Sequence, residues 1–367
     1  MPLPDGIPYN LRVKITTEAA NEHSLLFPNI RSFSMSILKQ IVGIDISMNT
    51  FNARFGTTNT KQDCVLSSDQ SYTNALPGFK QLLKWAKKSI ASADIPLLFV
   101  MEATGVYYQQ LAYFLVENNC SVAVVLPNKI KNYCKSLSSK SKTDPLDAAA
   151  ITRFGLERQL TLWTPPTETL KALHTLSREY HALKSTITEI KNQRHALVSS
   201  FEPLASTLKR KHHLITMLEK QARQIEQELH DRVESDVTLS GRVENICTVK
   251  GLGFMTVVSV LAETQCFQHV TKRKQLASYA GYDVVFNDSG MKKGKTSISK
   301  KGNKFLRNAV FMPALAACRY NPQLKEFYHR LVAKGKNKKL ALIAVARKLL
   351  LLIYSLWKNN SVYDPNY

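Results

Sequence analysis

The spacing of apolar residues predicts alternating strands and helices between residues 41 and 126. Short β-branched runs and alternating segments predict strands, and apolar residues three to four positions apart predict helices. The predicted strands are Ile41–Ser47, Phe51–Gly56, Gln62–Ser67, Ile95–Met101 and Ser121–Leu126, and the predicted helices are Gly78–Ser89 and Tyr107–Glu117. Three meandering strands followed by strands that helices separate is the order of an RNase H-like α/β domain, although a fold alone does not identify a function.

The middle of the chain has a different spacing. Apolar residues over Leu176–Leu197 recur at alternating intervals of three and four, with Arg194 as one polar interruption, and the spacing returns over Ile215–Leu229 after a break near Pro203. This spacing predicts a long antiparallel coiled-coil hairpin. Two interpretations stay open: the exposed seam pairs with another subunit, or the two arms bury only each other.

The distribution of charge marks the domain boundaries. The chain carries 50 Lys and Arg residues against 28 Asp and Glu, a formal net charge of +22, of which +5 lies in residues 1–160, +1 in 161–240 and +16 in 241–367. This excess favours a polyanionic partner, most simply nucleic acid, while an acidic substrate or a membrane surface stays open. The predicted organisation is an N-terminal extension over 1–40, an α/β domain over 41–160, a helical hairpin over 161–240 and a basic, mainly helical domain over 241–367.

Length and composition argue against several classes of protein. The 367 residues, 44% of them hydrophobic, suffice for two or three folded domains. The six cysteines match neither a zinc site nor a disulfide framework, so we expect reduced packing thiols. The apolar run Leu340–Tyr354 is too short to span a bilayer and contains Arg347 and Lys348, and residues 1–40 lack a signal-peptide pattern. We therefore expect a cytoplasmic protein with no membrane partner.

Four carboxylates stand where an α/β domain would bring them together. Asp45 and Glu102 lie at the ends of predicted strands, and Asp144 and Asp147 are three residues apart at the start of a predicted helix, on one face. Each alone is more often a turn or helix cap. Together they supply the hard anionic oxygens that two Mg²⁺ ions, about 4 Å apart, need in phosphoryl transfer.

The segments around these acids resemble one known family. The residues Ile41–Asp45, Val100–Tyr107 and Lys142–Ala148 resemble DEDD-type insertion-sequence transposases related to Piv invertases, which are bridge-RNA-guided recombinases. The resemblance implies a RuvC-like domain that holds two Mg²⁺ ions. The catalytic metal ligands that it implies are Asp45, Glu102, Asp144 and Asp147.

The C-terminal region extends the resemblance. Thr248–Phe254 and the helix Met255–Glu263 resemble a helix-hairpin-helix element, whose glycines let backbone N–H groups approach a phosphate. A plain tight turn is the alternative. Three further segments resemble the second, transposase-type domain of the family, namely Ala277–Tyr282, Asn287–Gly290 and Ile298–Arg307.

The second domain of the family carries its nucleophilic serine in a Ser-Gly context. Ser289 matches that position, and Ser299 and Ser297 are the fallback candidates, because many relatives show two serines before the glycine whereas Asp288 precedes Ser289 here. Nearby cations would stabilise charge on an attacked phosphate or simply neutralise a nucleic-acid backbone. The candidate nucleic-acid-binding residues are Lys250, Lys292, Lys293, Lys295, Lys300, Lys301, Lys304, Arg307, Lys336, Lys338 and Lys339.

The resemblance also implies a set of partners. These are donor and target DNA, a guide (bridge) RNA from the mobile element, and further copies of the chain in a dimer or tetramer, in which the serine of one subunit completes the carboxylate site of another. The protein would then be associated with the nucleoid in the cytoplasm. Two alternative functions stay open: a RuvC-like, metal-dependent nuclease or junction resolvase that activates water, and a non-enzymatic nucleic-acid-binding scaffold.

Overall fold

The computed structural model describes residues 36–137, 144–286, 289 and 296–364, with the backbone alone for 144–146. Most of the predicted N-terminal extension, residues 1–35, lies outside the described residues. The chain divides into two compact units, Met1–Pro165 and Pro166–Tyr367.

One mixed sheet forms the centre of the first unit. Its strands are β1 (Ile37–Ile46), β2 (Thr50–Asn59), β3 (Cys64–Leu66), β4 (Gln70–Thr73), β5 (Leu97–Glu102) and β6 (Ser121–Val125). Their order is β3-β2-β1-β5-β6, and β4 also pairs with β2. The pairs among β1 to β4 are antiparallel, whereas β5 is parallel to both β1 and β6. This arrangement confirms the RNase H-like α/β fold expected from the sequence.

In the described part of the first unit, four helices cover the two faces of this sheet: α1 (Leu76–Ser89), α2 (Gln109–Glu117), α3 (Pro127–Ser136) and α4 (Asp144–Glu157). Successive residues of a strand point to opposite faces. On β1, Val42 and Ile44 therefore join the core with α1 and α2, while Ile41 joins the core with α3 and α4. Both faces of the central strands are buried, which explains their near-continuous apolar sequence.

Three elements of the first unit differ from what the apolar pattern predicts. The strand predicted over Gln62–Ser67 is shorter, Cys64–Leu66, because Gln62 adopts a positive φ of 67° in the preceding turn. Strand β4 is not predicted because it is polar and half-exposed. Helix α3 is missed because only Ile130 and Tyr133 of its ten residues are buried.

The second unit is mainly helical. Its helices are α5 (Glu168–Val198), α6 (Ala205–Glu234), α7 (Val237–Cys247), α8 (Phe254–Thr264), α9 (Arg273–Ala280), α10 (Lys304–Tyr320), α11 (Pro322–Ala333) and α12 (Lys338–Asn359). A two-stranded antiparallel pair, β7 (Val284–Val285) and β8 (Ser297–Ile298), stands between α9 and α10.

The long helices α5 and α6 pack against each other in antiparallel directions. Ile187 and Ile190 of α5 share an apolar cluster with Ile215 and Leu218 of α6. Farther from the connecting turn, Leu173 of α5 joins the main core of the second unit together with residues of α6 and α8. The seam residues of the predicted hairpin are therefore buried within one chain along much of its length.

Helix α12 is the central core helix of the second unit. The expectation that the apolar run Leu340–Tyr354 is too short to span a bilayer is wrong in length, because the helix extends beyond that run: Lys338–Asn359 is long and apolar enough to cross a membrane by length and composition. Half of its most apolar window is buried. Val345, Leu349 and Ile353 are fully buried among the other helices. The apolar character of α12 therefore serves the packing of this unit.

The six cysteines are free thiols, each half-buried. Burial raises the pKa of Cys247 to about 11 and that of Cys266 to about 12. A raised pKa suppresses the reactive thiolate at neutral pH. These environments suit the packing role predicted for the cysteines.

Candidate active site

The carboxyl ends of β1 and β5 place two of the predicted acids side by side. Ile44 pairs with Met101 in the parallel register, so Asp45 and Glu102 are the next residues on neighbouring strands, which lie about 4.8 Å apart. Asp45 lies four residues after Ile41 on β1, and Glu102 lies two residues after Val100 on β5, so each acid shares a face of the sheet with that apolar residue. Both apolar residues belong to the core with α4. Both carboxylates therefore project toward the α4 side of the sheet.

Helix α4 crosses this face in the direction opposite to β1. A Cβ atom on Gly43 would lie 2.3 Å from Oγ1 of Thr152, whereas a Cβ on Gly155 would lie 2.8 Å from Cδ1 of Ile41. Moving two residues along β1, from Ile41 to Gly43, thus moves one turn toward the N-terminus of α4. The next step, to Asp45, reaches the first turns of the helix, where the half-buried Asp147 stands.

The close contact of α4 with β1 depends on two small residues, Gly43 of β1 and Thr152 of α4. Thr152 is fully buried, and its Oγ1 donates to the carbonyl oxygens of Ala148, at 2.8 Å, and Arg54, at 3.1 Å. Gly43 leaves the space that the Thr152 backbone and side chain occupy. This packing holds the N-terminal half of α4 over the ends of β1 and β5.

Three of the four predicted acids are thereby brought to one end of the sheet: Asp45, Glu102 and Asp147. Asp144 is the first residue of α4, and its side chain lies outside the described residues. Among the side chains that are described, no group of three or more His, Cys, Asp or Glu residues is arranged to hold a metal ion. The donors that are present are carboxylate oxygens, the ligand type that Mg²⁺ prefers.

Asn74 ties together the loops beside these acids, and the sequence analysis did not identify it. Its Nδ2 donates to the carbonyl oxygens of Ser47, at 2.9 Å, and Tyr107, at 3.2 Å. Ser47 directly follows β1, and Tyr107 lies in the turn after β5. The available signal was an Asn shortly before a helix that begins with a Leu-Pro pair, a position typical of side-chain to backbone hydrogen bonds.

The three candidate serines differ in accessibility. Ser289, which lies between β7 and β8 in the sequence, is exposed; its neighbours Asn287, Asp288 and Gly290 lie outside the described residues. Ser297 is an exposed residue of β8. Ser299 has a buried Oγ without a hydrogen-bond partner in the described part of the chain. Ser289 and Ser297 are therefore better placed than Ser299 to meet a substrate.

A buried carboxylate, Glu263 of α8, organises the segment that follows β8. Arg178 Nε donates to its Oε1 at 2.8 Å, and Asn303 Nδ2 donates to its Oε2 at 2.6 Å. Burial raises the pKa of Glu263, but these hydrogen bonds and the charges of Arg178 and His174 outweigh burial and hold the pKa below its usual value. Glu263 therefore remains ionised inside the protein.

The same network connects to α9. The hydroxyl of Tyr279 donates to the Glu263 carbonyl oxygen at 3.2 Å, and the Asn303 N–H donates to the Tyr279 carbonyl oxygen at 2.7 Å. Asn303 Oδ1 also accepts from the N–H groups of Phe305 and Leu306 and so caps α10. The sequence signal for Glu263 was a lone acid at the end of the apolar helix α8, which sequence reasoning did not use.

Most of the predicted nucleic-acid-binding residues in the described part of the chain are exposed, namely Lys250, Lys300, Lys301, Lys304, Lys336, Lys338 and Lys339. Arg307 is half-buried, and its Nη1 donates to the carbonyl oxygen of Ala280 at 2.7 Å, so this side chain also has a packing role. Lys292, Lys293 and Lys295 lie outside the described residues.

The turn between α7 and α8 carries the predicted phosphate-approach glycines. Gly251 has a φ of 103°, and a Cβ there would lie 2.7 Å from the backbone nitrogen of Ala317 in α10. This glycine is required for helix packing. A Cβ on Gly253 would meet nothing within 4 Å, so Gly253 is the residue of the pair that leaves open space beside α8.

Two family models match the chain. A transposase model of the DEDD, IS110 type matches residues 42–203, and a model described as "Transposase IS116/IS110/IS902 family" matches residues 243–329. The first includes the carboxylates of the sheet, and the second includes Glu263 and Ser289. The two matches confirm the resemblance inferred from the motif segments.

Several known proteins are similar to the chain. Pilin gene-inverting proteins of Moraxella lacunata and Moraxella bovis are each 32% identical over 330 residues, which cover 89% of this chain and 98% of each relative. An uncharacterized 42 kDa protein of insertion element IS900 from Mycobacterium paratuberculosis is 24% identical over 52% of this chain and 47% of its own length. Thermus thermophilus RuvC, solved with a Holliday junction substrate, aligns at 12% identity and a TM-score of 0.24, covering 34% of this chain and 99% of RuvC.

Proposed function

This chain belongs to the IS116/IS110/IS902 transposase family of DNA recombinases, and we propose that it cuts and rejoins DNA through attack of Ser289 on a phosphodiester, assisted by the carboxylates of the first unit. The observation that carries the proposal is the position of Asp45 and Glu102 on adjacent strand ends beneath the start of α4. In an RNase H-like fold, this placement suits carboxylates that act on a phosphate.

The carboxylates would hold divalent cations, most simply two Mg²⁺ ions. Asp45, Glu102, Asp144 and Asp147 are the proposed ligands, and bound Mg²⁺ would neutralise the phosphate and polarise it toward attack. The residues of this chain orient the ligands: the Gly43–Thr152 contact places α4, and Asn74 holds the loops that follow Asp45 and Glu102.

Ser289 would supply the nucleophile. Its Oγ loses a proton and forms a bond to phosphorus, the bond from phosphorus to a deoxyribose oxygen breaks, and that oxygen takes up a proton. The resulting phosphoserine ester conserves the bond energy, so attack by another deoxyribose hydroxyl rejoins DNA without an external energy source. The Glu263 network supports this role because Glu263 binds Asn303, which follows β8. Strand β8 pairs with β7, and Ser289 lies between these two strands in the sequence.

The proposed partners are donor DNA, target DNA and a guide RNA from the mobile element, with two or four copies of the chain in the reactive complex. The formal charge of +22 supports binding of several nucleic-acid strands. The pilin gene-inverting relatives, by their printed name, invert a DNA segment, so inversion is included among the proposed reactions. Such a protein would work on the nucleoid in the cytoplasm.

The test is recombination between donor and target plasmids in cells that also contain the flanking noncoding DNA of the element. The variants Ser289→Ala and Asp147→Asn should each abolish joining, whereas Ser297→Ala and the exposed-acid control Asp94→Asn should retain it. Purified protein should also form a covalent adduct with end-labelled DNA that depends on Ser289.

The outcomes separate the proposal from its alternatives. DNA cleavage without an adduct, unaffected by Ser289→Ala, would indicate a nuclease that activates water. DNA binding without any processing in all variants would indicate a scaffold. Either result would refute serine-based recombination.

A further inference from the structure

An open groove in the second unit lies between α10, α11 and the start of α12. Its volume is about 550 Å³, within the range of small-molecule and cofactor sites. Phe311 and Leu315 of α10 and Tyr328 of α11 form an apolar wall, and Phe311 and Leu315 are 36% and 39% exposed. The groove thus presents an apolar surface, including two aromatic rings, to solvent.

The rim of this groove is basic. Arg319, Lys325, Lys338 and Lys339 line it, and none of the described residues that line it is acidic. Glu326 is the one acidic residue of the sequence between positions 304 and 363. A ligand that complements this site is therefore anionic at one end and flat and apolar at the other.

We propose that this groove binds an unpaired nucleotide of a folded RNA, with the base against the Phe311 and Tyr328 rings and the adjoining phosphates on the lysines of α12. Unstacked bases in RNA loops are bound by aromatic side chains, whereas bases of duplex DNA are stacked and unavailable. Lys338 and Lys339 stand at the N-terminus of a 22-residue helix, where the helix dipole adds to their attraction for phosphate. The inference deepens the proposed function, since it rests on that function's guide RNA.

The two halves of the groove have different signatures in binding. Removing the rings weakens stacking and leaves the number of phosphate contacts unchanged. Removing the lysines lowers the salt dependence of binding, because fewer phosphate contacts form and fewer counterions are released when the complex forms. A plain cationic patch would show only the second effect, so the aromatic change is the decisive one.

The experiment measures binding of the full-length protein to a fluorescein-labelled twelve-nucleotide oligouridine RNA over a range of salt concentrations. Phe311→Leu with Tyr328→Leu should weaken binding about ten-fold without a change in the salt slope. Lys338→Gln with Lys339→Gln should reduce the slope. The matched control is Phe201→Leu, an aromatic residue that is 92% exposed outside the groove, and it should leave binding unchanged.

A second readout locates the bound base directly. RNA that carries 4-thiouridine should crosslink to residues of α10 and α11 in the groove, and the double aromatic variant should lose that crosslink while its thermal unfolding remains cooperative. Less than a two-fold effect on RNA binding, an equal effect on duplex DNA or on single-stranded oligothymidine, or crosslinks only elsewhere would overturn the inference.

The binding and recombination assays fail independently. Protein that binds RNA through the groove but joins no plasmids would refute the proposed recombination and leave this inference standing. Protein that recombines plasmids at the wild-type rate in the double aromatic variant, with unchanged RNA binding, would refute the groove alone.

Discussion

Arg178 of α5 and Glu263 of α8 form a two-pronged ion pair. Nε donates to Oε1 at 2.8 Å and Nη2 donates to Oε2 at 3.2 Å. The Glu263 side chain is 3% exposed, whereas that of Arg178 is 45% exposed. The pair joins α5 of the long hairpin to the core helix α8. Because the Glu263 carboxylate also accepts a hydrogen bond from Asn303, it anchors both the hairpin and the region that follows Ser289.

Replacing Glu263 by Gln should lower the free energy of unfolding by roughly 1–3 kcal/mol, because Arg178 and Asn303 lose a charged acceptor while Arg178 can still reach water. Urea unfolding measures the change. Glu228→Gln is the matched control, since Glu228 pairs with Arg232 at 2.9 Å on the exposed surface of α6 and should contribute less than about 0.5 kcal/mol. Equal effects of the two substitutions would contradict the anchoring role.

Acid should destabilise the second unit through two histidines. Burial lowers the pKa of His174 and of His181, so the unfolded chain binds more protons than the folded one. Their contribution to stability is present above about pH 6.5, the unfolded pKa, and is lost as the pH falls through the folded pKa. Urea midpoints should therefore be lower at pH 5.5 than at pH 7.5.

The variant His181→Gln should reduce this pH dependence, whereas the exposed His212→Gln should leave it unchanged. A stability curve that is flat from pH 7.5 to 5.5 would contradict the burial of these imidazoles.

A second decrease in the free energy of unfolding is expected at lower pH. The lowered pKa of Glu263 stabilises the fold above the unfolded pKa of about 4.3, and this stability is lost as the pH falls through its folded pKa.

Gly43→Ala should destabilise the first unit by about 2 kcal/mol or more, because the added Cβ would lie 2.3 Å from Thr152 Oγ1 and 2.4 Å from Thr152 N. Thermal unfolding measures the loss. Gly241→Ala is the control: a Cβ at that position of α7 meets nothing within 4 Å, so helix propensity should leave stability unchanged or raise it by up to ~1 kcal/mol.

Divalent cations should stabilise the first unit if the proposed carboxylate site holds them. Mg²⁺ or Mn²⁺ at ten times its dissociation constant adds about 1.4 kcal/mol, which raises the unfolding temperature by a few degrees. Asp45→Asn and Asp147→Asn should remove this shift, and Asp94→Asn should preserve it. A metal-induced shift that survives in both site variants would place the cations elsewhere.

The sequence by itself determined the local elements and the family. The apolar runs of β1, β5 and β6 and the heptad-like spacing of α5 and α6 reflect burial of one face or seam, which is written into residue order. Motif segments in both units carried the resemblance that the family matches confirmed. The polar elements β4 and α3 could not be predicted from the sequence, because they have no periodic apolar pattern and are stabilised by pairing and contacts with other elements.

Only the tertiary structure decided which residues meet. The register of β1 with β5 places Asp45 beside Glu102, and the contact of Gly43 with Thr152 sets the direction and depth of α4. Glu263 meets Arg178 across 85 residues, and the groove between Phe311 and Tyr328 exists only once α10, α11 and α12 are packed. Such contacts depend on backbone geometry between distant segments, because strand pairing and helix packing are set by the whole core.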